Sequence, residues 1–547
     1  MSASALSTRQ IARAALVVLL GFAASGVLGL LRQSVIAATF GASAALDSYF
    51  AAQRIPEMLF VLVAGGALGS SFIPVFTRFL TADDHAGAWR LARIVSRWAG
   101  GAALVLAVII ALFAQPIVAG FLAPDAPPER QALIVELTRI MLLTVPLFTI
   151  SGLMMGILNA YQSFMLPALA AAMYNIGQII GALVLARILP PLVIGGETSA
   201  NVYGLAWGVV LGALLHLGIQ LPGIRAVLAA RREEAHALTQ ADSRSVERRA
   251  AREVLLLMLP RVLGLAVVQI NFIVNVALAY PPRMVAGSVS AFTYAWQLMF
   301  FALGVVAQSV GTALFPTLSA LASAGDWAGY RDRLSGGMRA VLFLALPATA
   351  AMIVLGEPII RALFERGAWT RVDSAATAWA LAFLAIGVAG HALLELLARA
   401  FYALADTRTP VIVGIGAMIA NIALSLVFIR FVGDPNDLAR GAFAGLALAN
   451  ALTTLVEAGV LWWLLRRRIG SLDERRVLSS AGRAALAALG MGVVVAFVSG
   501  WAADSGVWAQ VLGAGTAGGA AFFGLALLLR VDEAQQVIAI MMRRLRR

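Results

Sequence analysis

Apolar runs of about twenty residues recur along the whole of this 547-residue chain, with short polar segments between them. A run of that length crosses a hydrocarbon core of about 30 Å as an α-helix. The strict alternation that marks the strands of a membrane barrel is absent, so the pattern predicts helices throughout. About fourteen spans are expected. They fall near residues 14–38, 47–76, 89–122, 133–159, 164–188, 203–222, 252–279, 286–320, 334–362, 376–402, 409–431, 441–465, 482–502 and 508–530. Several runs exceed one crossing, which predicts tilted, kinked or extended helices. The polar segment RREEAHALTQADSRSVERRAAREV at 231–254 reads as an amphipathic cytoplasmic helix joining two halves.

Composition narrows the class. Hydrophobic residues make up 61% of the chain and charged residues 13%, against about 45–50% and about 25% in a soluble domain. The formal net charge of +13 would suit nucleic acid, but the placement of the basic residues, all arginine, argues for no such partner. Arg9 and Arg13 precede the first span, and Arg78, Arg90, Arg93 and Arg97 follow the second. More arginines fill the middle linker, then Arg331, Arg333 and Arg339, then Arg466 to Arg468 with Arg475 and Arg476, then Arg543, Arg544, Arg546 and Arg547. Intervening loops such as 123–130 and 433–437 are short and mixed or acidic. This is the positive-inside pattern of a multi-pass inner-membrane protein with both termini cytoplasmic.

An arginine-flanked apolar start also marks secretory signals, but many similar spans follow, so a retained first helix is expected. No cysteine is present, which excludes disulfides and thiolate metal sites. The nucleotide-binding G-x-x-x-x-G-K-[ST] and metalloprotease H-E-x-x-H motifs are missing, so neither an enzyme nor a cofactor is expected. Transport would then draw on a Na+ or H+ gradient, the membrane potential or the substrate's own gradient.

The halves echo one another in order. VLGL at Val27 returns at Val262, GSSFIPVFTRFLTADDHAGAW at Gly69 as GTALFPTLSALASAGDWAGY at Gly311, and QPIV at Gln115 as EPII at Glu357. NAYQSFMLP at Asn159 answers RAFYALADTRTP at Arg399, and GLAWG at Gly204 answers GLALA at Gly445. Six spans per half is an even number, so both halves have one orientation and the repeat axis runs along the membrane normal, with a cleft between lobes. The expected organisation is an N-terminal lobe at 1–230, a linker at 231–251, a C-terminal lobe at 252–470, and two extra helices with a basic tail at 471–547.

Ionisable residues at membrane depth pair with one another, face water or carry function. Arg32 lies between the apolar run 14–31 and VIAATFG. It is read as a cation facing the cleft, against a structural pair with Asp47. Arg54 and Glu57 read as structural residues that snorkel near a helix end, against a functional role. His391, Glu395 and Arg399, at i, i+4 and i+8, share one helix face. Two readings stay open there: a buried Glu395–Arg399 ion pair, or an ion or proton coupling site at Glu395 and His391. Arg261 follows a helix-disrupting Pro260, Gln269, Asn271 and Asn275 suit interhelical hydrogen bonds, and AGGALGSS at Ala64 to Ser71 suits close helix packing.

The segments VLGLLRQSVIAATFGASAALDSYFAAQRIPEML, P-x-x-LG-x-x-x-x-QIN at Pro260 to Asn271, LFERGAWTRVDS at Leu363 to Ser374 and ARAFYALADTRTPV at Ala398 to Val411 together resemble the MurJ/MviN family of lipid II flippases. That family belongs to the multidrug/oligosaccharidyl-lipid/polysaccharide exporter superfamily, and the likeness covers the full chain. The resemblance implies an all-α fold of two six-helix lobes around a central cavity plus two helices. It implies movement of undecaprenyl-diphosphate-linked peptidoglycan precursor across the bacterial inner membrane by alternating access, with the lipid tail along the last two helices. Membrane lipids and cell-wall synthesis proteins are the implied partners. Arg32, Asp47 and Arg54 match family positions, and an Arg fork suits a diphosphate. Four positions depart from the family pattern: Gly26, Phe60 and Gln297, where members carry arginine, and Gly65, where they carry an acid. Arg261 stands at the repeat position of Gly26 and is expected to offset part of that loss. The alternatives are export of another polyprenyl-linked glycan or a drug-like cation, and a non-transporting scaffold in envelope assembly.

Overall fold

The computed structural model describes the backbone of residues 8–64, 66–194, 196–229, 244–280, 283–304 and 309–545. Side chains at 8–23, 63–70, 197, 244–248, 257, 259–261, 263–268, 309, 540, 541 and 543–545 lie outside that description. The chain divides into two compact units, Met1–Ala277 and Leu278–Arg547.

The first unit holds α1 (Thr8–Phe40), α2 (Ala44–Leu59), α3 (Gly66–Thr81), α4 (His85–Leu112), α5 (Pro128–Leu142), α6 (Thr144–Ala160), α7 (Met165–Ile180), α8 (Val202–Gly218), α9 (Leu221–Ala229) and most of α10 (Arg244–Ala279). The second holds α11 (Ser288–Leu303), α12 (Ser309–Ala324), α13 (Trp327–Phe364), α14 (Arg371–Ile386), α15 (Val388–Ala403), α16 (Arg408–Phe428), α17 (Phe443–Ile469), α18 (Glu474–Trp501), α19 (Val507–Leu528) and α20 (Asp532–Leu545). Among the described residues nine helices are long and apolar enough to cross a bilayer, and α14 with α15, bent by 48°, forms a further broken span. A multi-pass helical membrane protein follows from these lengths. Proline inside α2, α3, α12 and α13 is tolerated in membrane helices because neighbouring groups re-satisfy the freed backbone.

The repeat is visible in turn geometry. After α3, Asp83 takes φ +59° and the Asp84 N–H reaches Phe79 O (3.0 Å); Asp84 then caps α4 by accepting from Gly87 N–H (2.7 Å). After α12, Gly325 takes φ +69°, Asp326 N–H reaches Leu321 O (3.0 Å), and Asp326 accepts from Gly329 N–H (2.8 Å). The α6–α7 and α15–α16 turns match likewise. Gln162 (φ +60°) and Ala405 (φ +57°) are left-handed, and Ser163 N–H to Leu158 O (2.8 Å) parallels Asp406 N–H to Phe401 O (3.0 Å). Left-handed residues that close helix ends by such back-reaching bonds satisfy carbonyls the helix leaves free.

Several expectations are corrected. Arg78, expected beyond the span 47–76, lies within α3, while Arg90, Arg93 and Arg97 fall on α4, inside the expected span 89–122. Arg339, grouped by sequence with the cytoplasmic arginines, is buried within α13 and paired to Glu533 (2.9 Å) and Asp532 (3.3 Å) of α20. Ser480 also donates to Glu533 (2.6 Å), which ties α18 into the same cluster. A β-hairpin, β1 (Leu192–Ile194) paired with β2 (Glu197–Ser199), occupies the connection between the expected spans 164–188 and 203–222. The linker expected at 231–251 lies outside the described residues up to 243. From Arg244 its chain already belongs to α10, where Ala250, Ala251 and Val254 pack with Phe72, Phe76 and Leu91 of α3 and α4.

Candidate functional site

The first unit brings two of the sequence-predicted cations, Arg32 and Arg54, into one neighbourhood. α1 lies along α7, where a Cβ on Gly29 would be 3.8 Å from Asn175 Nδ2, and Asn175 donates to Ser25 O (3.2 Å). The side chain at Gly29 is therefore absent where α7 comes near, and Arg32, one turn on, shares that face. Its half-buried guanidinium is within electrostatic reach of Tyr174 on α7, as is Glu57 of α2, and Gln53 hydrogen-bonds the Tyr174 side chain. Arg32 Nε is buried with no hydrogen-bond partner among the described residues.

Arg54, with 13% of its side chain exposed, pairs with Glu57 (3.0 Å) and places its guanidinium 5.6 Å from the Phe272 ring of α10. Its Nε too has no hydrogen-bond partner among the described residues. Ion pairing and a cation–π contact hold the group at this depth. Asp47 is fully buried in the first turn of α2, next to the free N–H groups of the helix start, and Ser43 caps that start by accepting from Leu46 N–H (3.3 Å). A carboxylate is favoured at that end of the helix dipole.

The departures from the family pattern have structural counterparts. Phe60 packs on Phe148 (centroids 4.8 Å), which in turn meets Tyr174 (5.2 Å), so the position is filled by an aromatic cluster. A Cβ on Gly26 would meet nothing within 4 Å. Gln297 Oε1 is buried without a partner among the described residues. Gly65 and the Arg261 side chain lie outside the described residues.

In the second unit Arg399 donates to Glu395 (2.6 Å), and its other terminal nitrogen abuts Gly311, whose Cβ would fall 2.3 Å away. His391 joins a different cluster: Asn450 Oδ1 lies 3.0 Å from its Nε2, and Trp296 (5.9 Å) and Phe300 (6.1 Å) flank the ring. Shared helix face thus brought Glu395 to Arg399 and left His391 with α17. Sequence reasoning missed Gln53, Tyr174 and Asn450, because Gln53 and Asn450 are each the lone amide of their span and Tyr174 the lone tyrosine of its own, whereas Gln269, Asn271 and Asn275 stood out as a cluster.

Apolar helices long enough to span a bilayer, repeated turns and cations held at membrane depth define a polytopic membrane protein of transporter type. Solved structures agree in fold. A lipid II flippase MurJ in an inward closed conformation aligns over 96% of this chain and 100% of its own, with a TM-score of 0.71 and 20% identity. An inward-facing multidrug resistance MATE family transporter aligns over 82% and 96%, with a TM-score of 0.65 and 16% identity. The chain belongs to the MurJ family: the family model, described as lipid II flippase MurJ, matches residues 36–512. The lipid II flippase MurJ of Burkholderia cenocepacia is 32% identical over 446 residues, 81% of each chain. The probable lipid II flippase MurJ of Haemophilus influenzae is 29% identical over 493 residues, 86% of this chain and 89% of its own.

Proposed function

We propose that this chain is a flippase that carries lipid II across the bacterial inner membrane by alternating access, without catalytic chemistry and with both termini in the cytoplasm. The reading takes two six-span lobes at 1–230 and 252–470, a linker at 231–251, and two extra spans within 471–547. The observation that carries it is the buried Arg32 Nε beside Tyr174, in a chain of this family. A buried donor left unmet costs about 1–3 kcal/mol, and a diphosphate oxygen supplies the acceptor. Arg54 and Asp47 complete the substrate-binding set on the α2 side, and Arg261 adds the cation that Gly26 lacks. Cell-wall synthesis proteins that consume the product are the partners this role implies.

The test is replacement of a host's essential lipid II flippase by this chain. The wild-type chain should sustain growth, Arg32→Ala should abolish it at equal protein levels, and Arg32→Lys should restore part, since lysine keeps charge but loses the fork. Full growth on Arg32→Ala refutes the assignment. Coupling to Na+ or H+ through Glu395 and His391 belongs to the same proposal. Glu395→Gln should blunt the response of flipping in vesicles to imposed sodium and pH gradients, and an unchanged response leaves Glu395 with its ion pair alone.

A further inference from the structure

A crevice of about 480 Å³ opens at the arginine-rich ends of the second unit's helices. Trp327 and Arg331 of α13, Arg468 at the end of α17, Ser323 of α12 and Ala405 of the left-handed turn line it. Arg331 donates to Ile469 O (2.8 Å), and Arg468 donates to Asp406. Each contact uses one nitrogen of a guanidinium that offers five N–H groups. Both forks are thereby oriented without being consumed, and Arg468 keeps 47% of its side chain exposed. No carboxylate is among the lining residues, and Asp406 offsets only one of the two charges. Trp327, 44% exposed at the lip, is the residue type that settles at the level of lipid headgroups.

A crevice of the first unit at the α3–α4 turn, about 420 Å³ and closed by α10, is built the other way. Arg78 and Arg249 face Asp84 and Glu253 there, and both terminal nitrogens of Arg78 are taken by Glu253 (2.7 and 3.3 Å). Its charge is balanced, whereas the second unit's is not.

The geometry points to a phosphate-binding site at Arg331 and Arg468, fit for the phosphodiester of an anionic phospholipid or for a soluble phosphate. Basic pockets between spanning helices bind anionic headgroups, and two Arg forks match phosphate oxygens in geometry and charge.

The full-length chain in detergent, titrated with phosphatidylglycerol, phosphatidylcholine or inorganic phosphate and read by native mass spectrometry and thermal melting, tests this. Phosphatidylglycerol should bind in preference to phosphatidylcholine. That preference should fall about fivefold or more, as expected for lost Arg forks, in the Arg331→Gln, Arg468→Gln double variant. Ser323→Asp, which leaves both arginine contacts in place but adds a repelling charge, should weaken it as well, and Arg249→Gln in the other crevice should not. Stabilisation of the wild type by inorganic phosphate, lost in the same variants and without a lipid preference, assigns the site to a soluble phosphate. Equal binding of every probe by the wild type, the double variant and Ser323→Asp overturns the proposal.

Discussion

Two corresponding helix pairs, one in each half, are held together by opposite means. In the first unit α7 and α8 meet backbone to backbone. A Cβ on Gly177 would lie 2.2 Å from Gly212 N, one on Gly181 2.5 Å from Gly208 Cα, and one on Gly204 2.2 Å from Ala186 N. In the second unit the residues answering Gly204, Gly208 and Gly212 are Gly445, Ala449 and Thr453. Gly445 keeps the close approach, 2.7 Å from the Phe428 carbonyl, but farther along Asn421 donates to Thr453 Oγ1 (3.4 Å), and Thr453 donates to Ala449 O (2.7 Å). Small-residue packing and interhelical hydrogen bonds are the two ways helices associate in lipid, where apolar burial gives no drive. The glycine seam also sets the site: Gly212 leaves room for Tyr174, whose Cδ2 would be 2.8 Å from an added Cβ, and Tyr174 is the neighbour of Arg32. In the first half the glycine seam supports a cation, Arg32, that has no ion pair among the described residues, whereas in the second half Arg399 is paired to Glu395.

The largest effect should come from filling the glycine seam. Gly208→Val drives a branched side chain into the backbone of Gly181, 2.6 Å from its Cβ position, at a cost of roughly 3 kcal/mol or more. Folded chain should accumulate poorly and melt well below wild type. Thr453→Val keeps the volume and removes one hydroxyl, for about 1 kcal/mol. Equal melting of the two variants would erase the distinction between the seams.

A middle-sized effect belongs to the paired cation. A double-mutant cycle of Glu395→Gln and Arg399→Gln, read by thermal melting, should show a coupling of roughly 1–2 kcal/mol. Gly311→Ala, whose methyl would displace the Arg399 guanidinium, should bring that coupling close to zero. The same comparison predicts that Arg32→Ala leaves the melting temperature nearly unchanged while growth support is lost. A stability loss at Arg32 as large as at Arg399 would mean that both cations are structural.

Class and repeat were legible in the sequence because hydropathy reports depth and because equal turns reuse equal residue types, as Asp84 and Asp326 do at their helix starts. Arg32, Arg54 and Glu395 were legible as charges out of place. The Glu395–Arg399 pair was legible as well, from its i, i+4 spacing, but the long-range partners of the other charges were not. Arg54 meets Phe272, more than two hundred positions away, and nothing local to Arg339 announces Glu533. Hydropathy gives each residue a depth but no azimuth on its helix, and pairing depends on both. The aromatic filling around Phe60 was hidden for the same reason: a missing charge shows in the sequence, while what occupies its place depends on Phe148, from another helix.

The smallest expected effect compares the two corresponding left-handed turns. In the first unit Ser163 occupies the place that Asp406 takes in the second. Asp406 Oδ1 accepts from the N–H groups of Arg408 (3.1 Å) and Thr409 (3.0 Å), and Oδ2 accepts from Thr409 Oγ1 (2.7 Å) and from Arg468. Burial acts to raise the Asp406 pKa, but the Thr409 hydrogen bonds and the Arg468 guanidinium outweigh it and hold it below the ordinary carboxylate value. A folded pKa below the unfolded one makes the carboxylate stabilising above the unfolded value of about 3.9, and the contribution is lost as pH falls through the folded value. Asp406→Asn keeps an oxygen for the two backbone N–H groups but loses the charge that faces Arg468, and should therefore lower stability by roughly 0.5–1 kcal/mol at neutral pH. The gap to wild type should shrink as the pH falls below the ordinary carboxylate value and towards the lowered folded one. Ser163→Ala, at the uncharged turn, should show a gap that does not change with pH. Melting curves of the three chains from pH 7 to pH 3 decide it, and an Asp406→Asn gap that persists undiminished in acid would show that the turn is held by shape and not by charge.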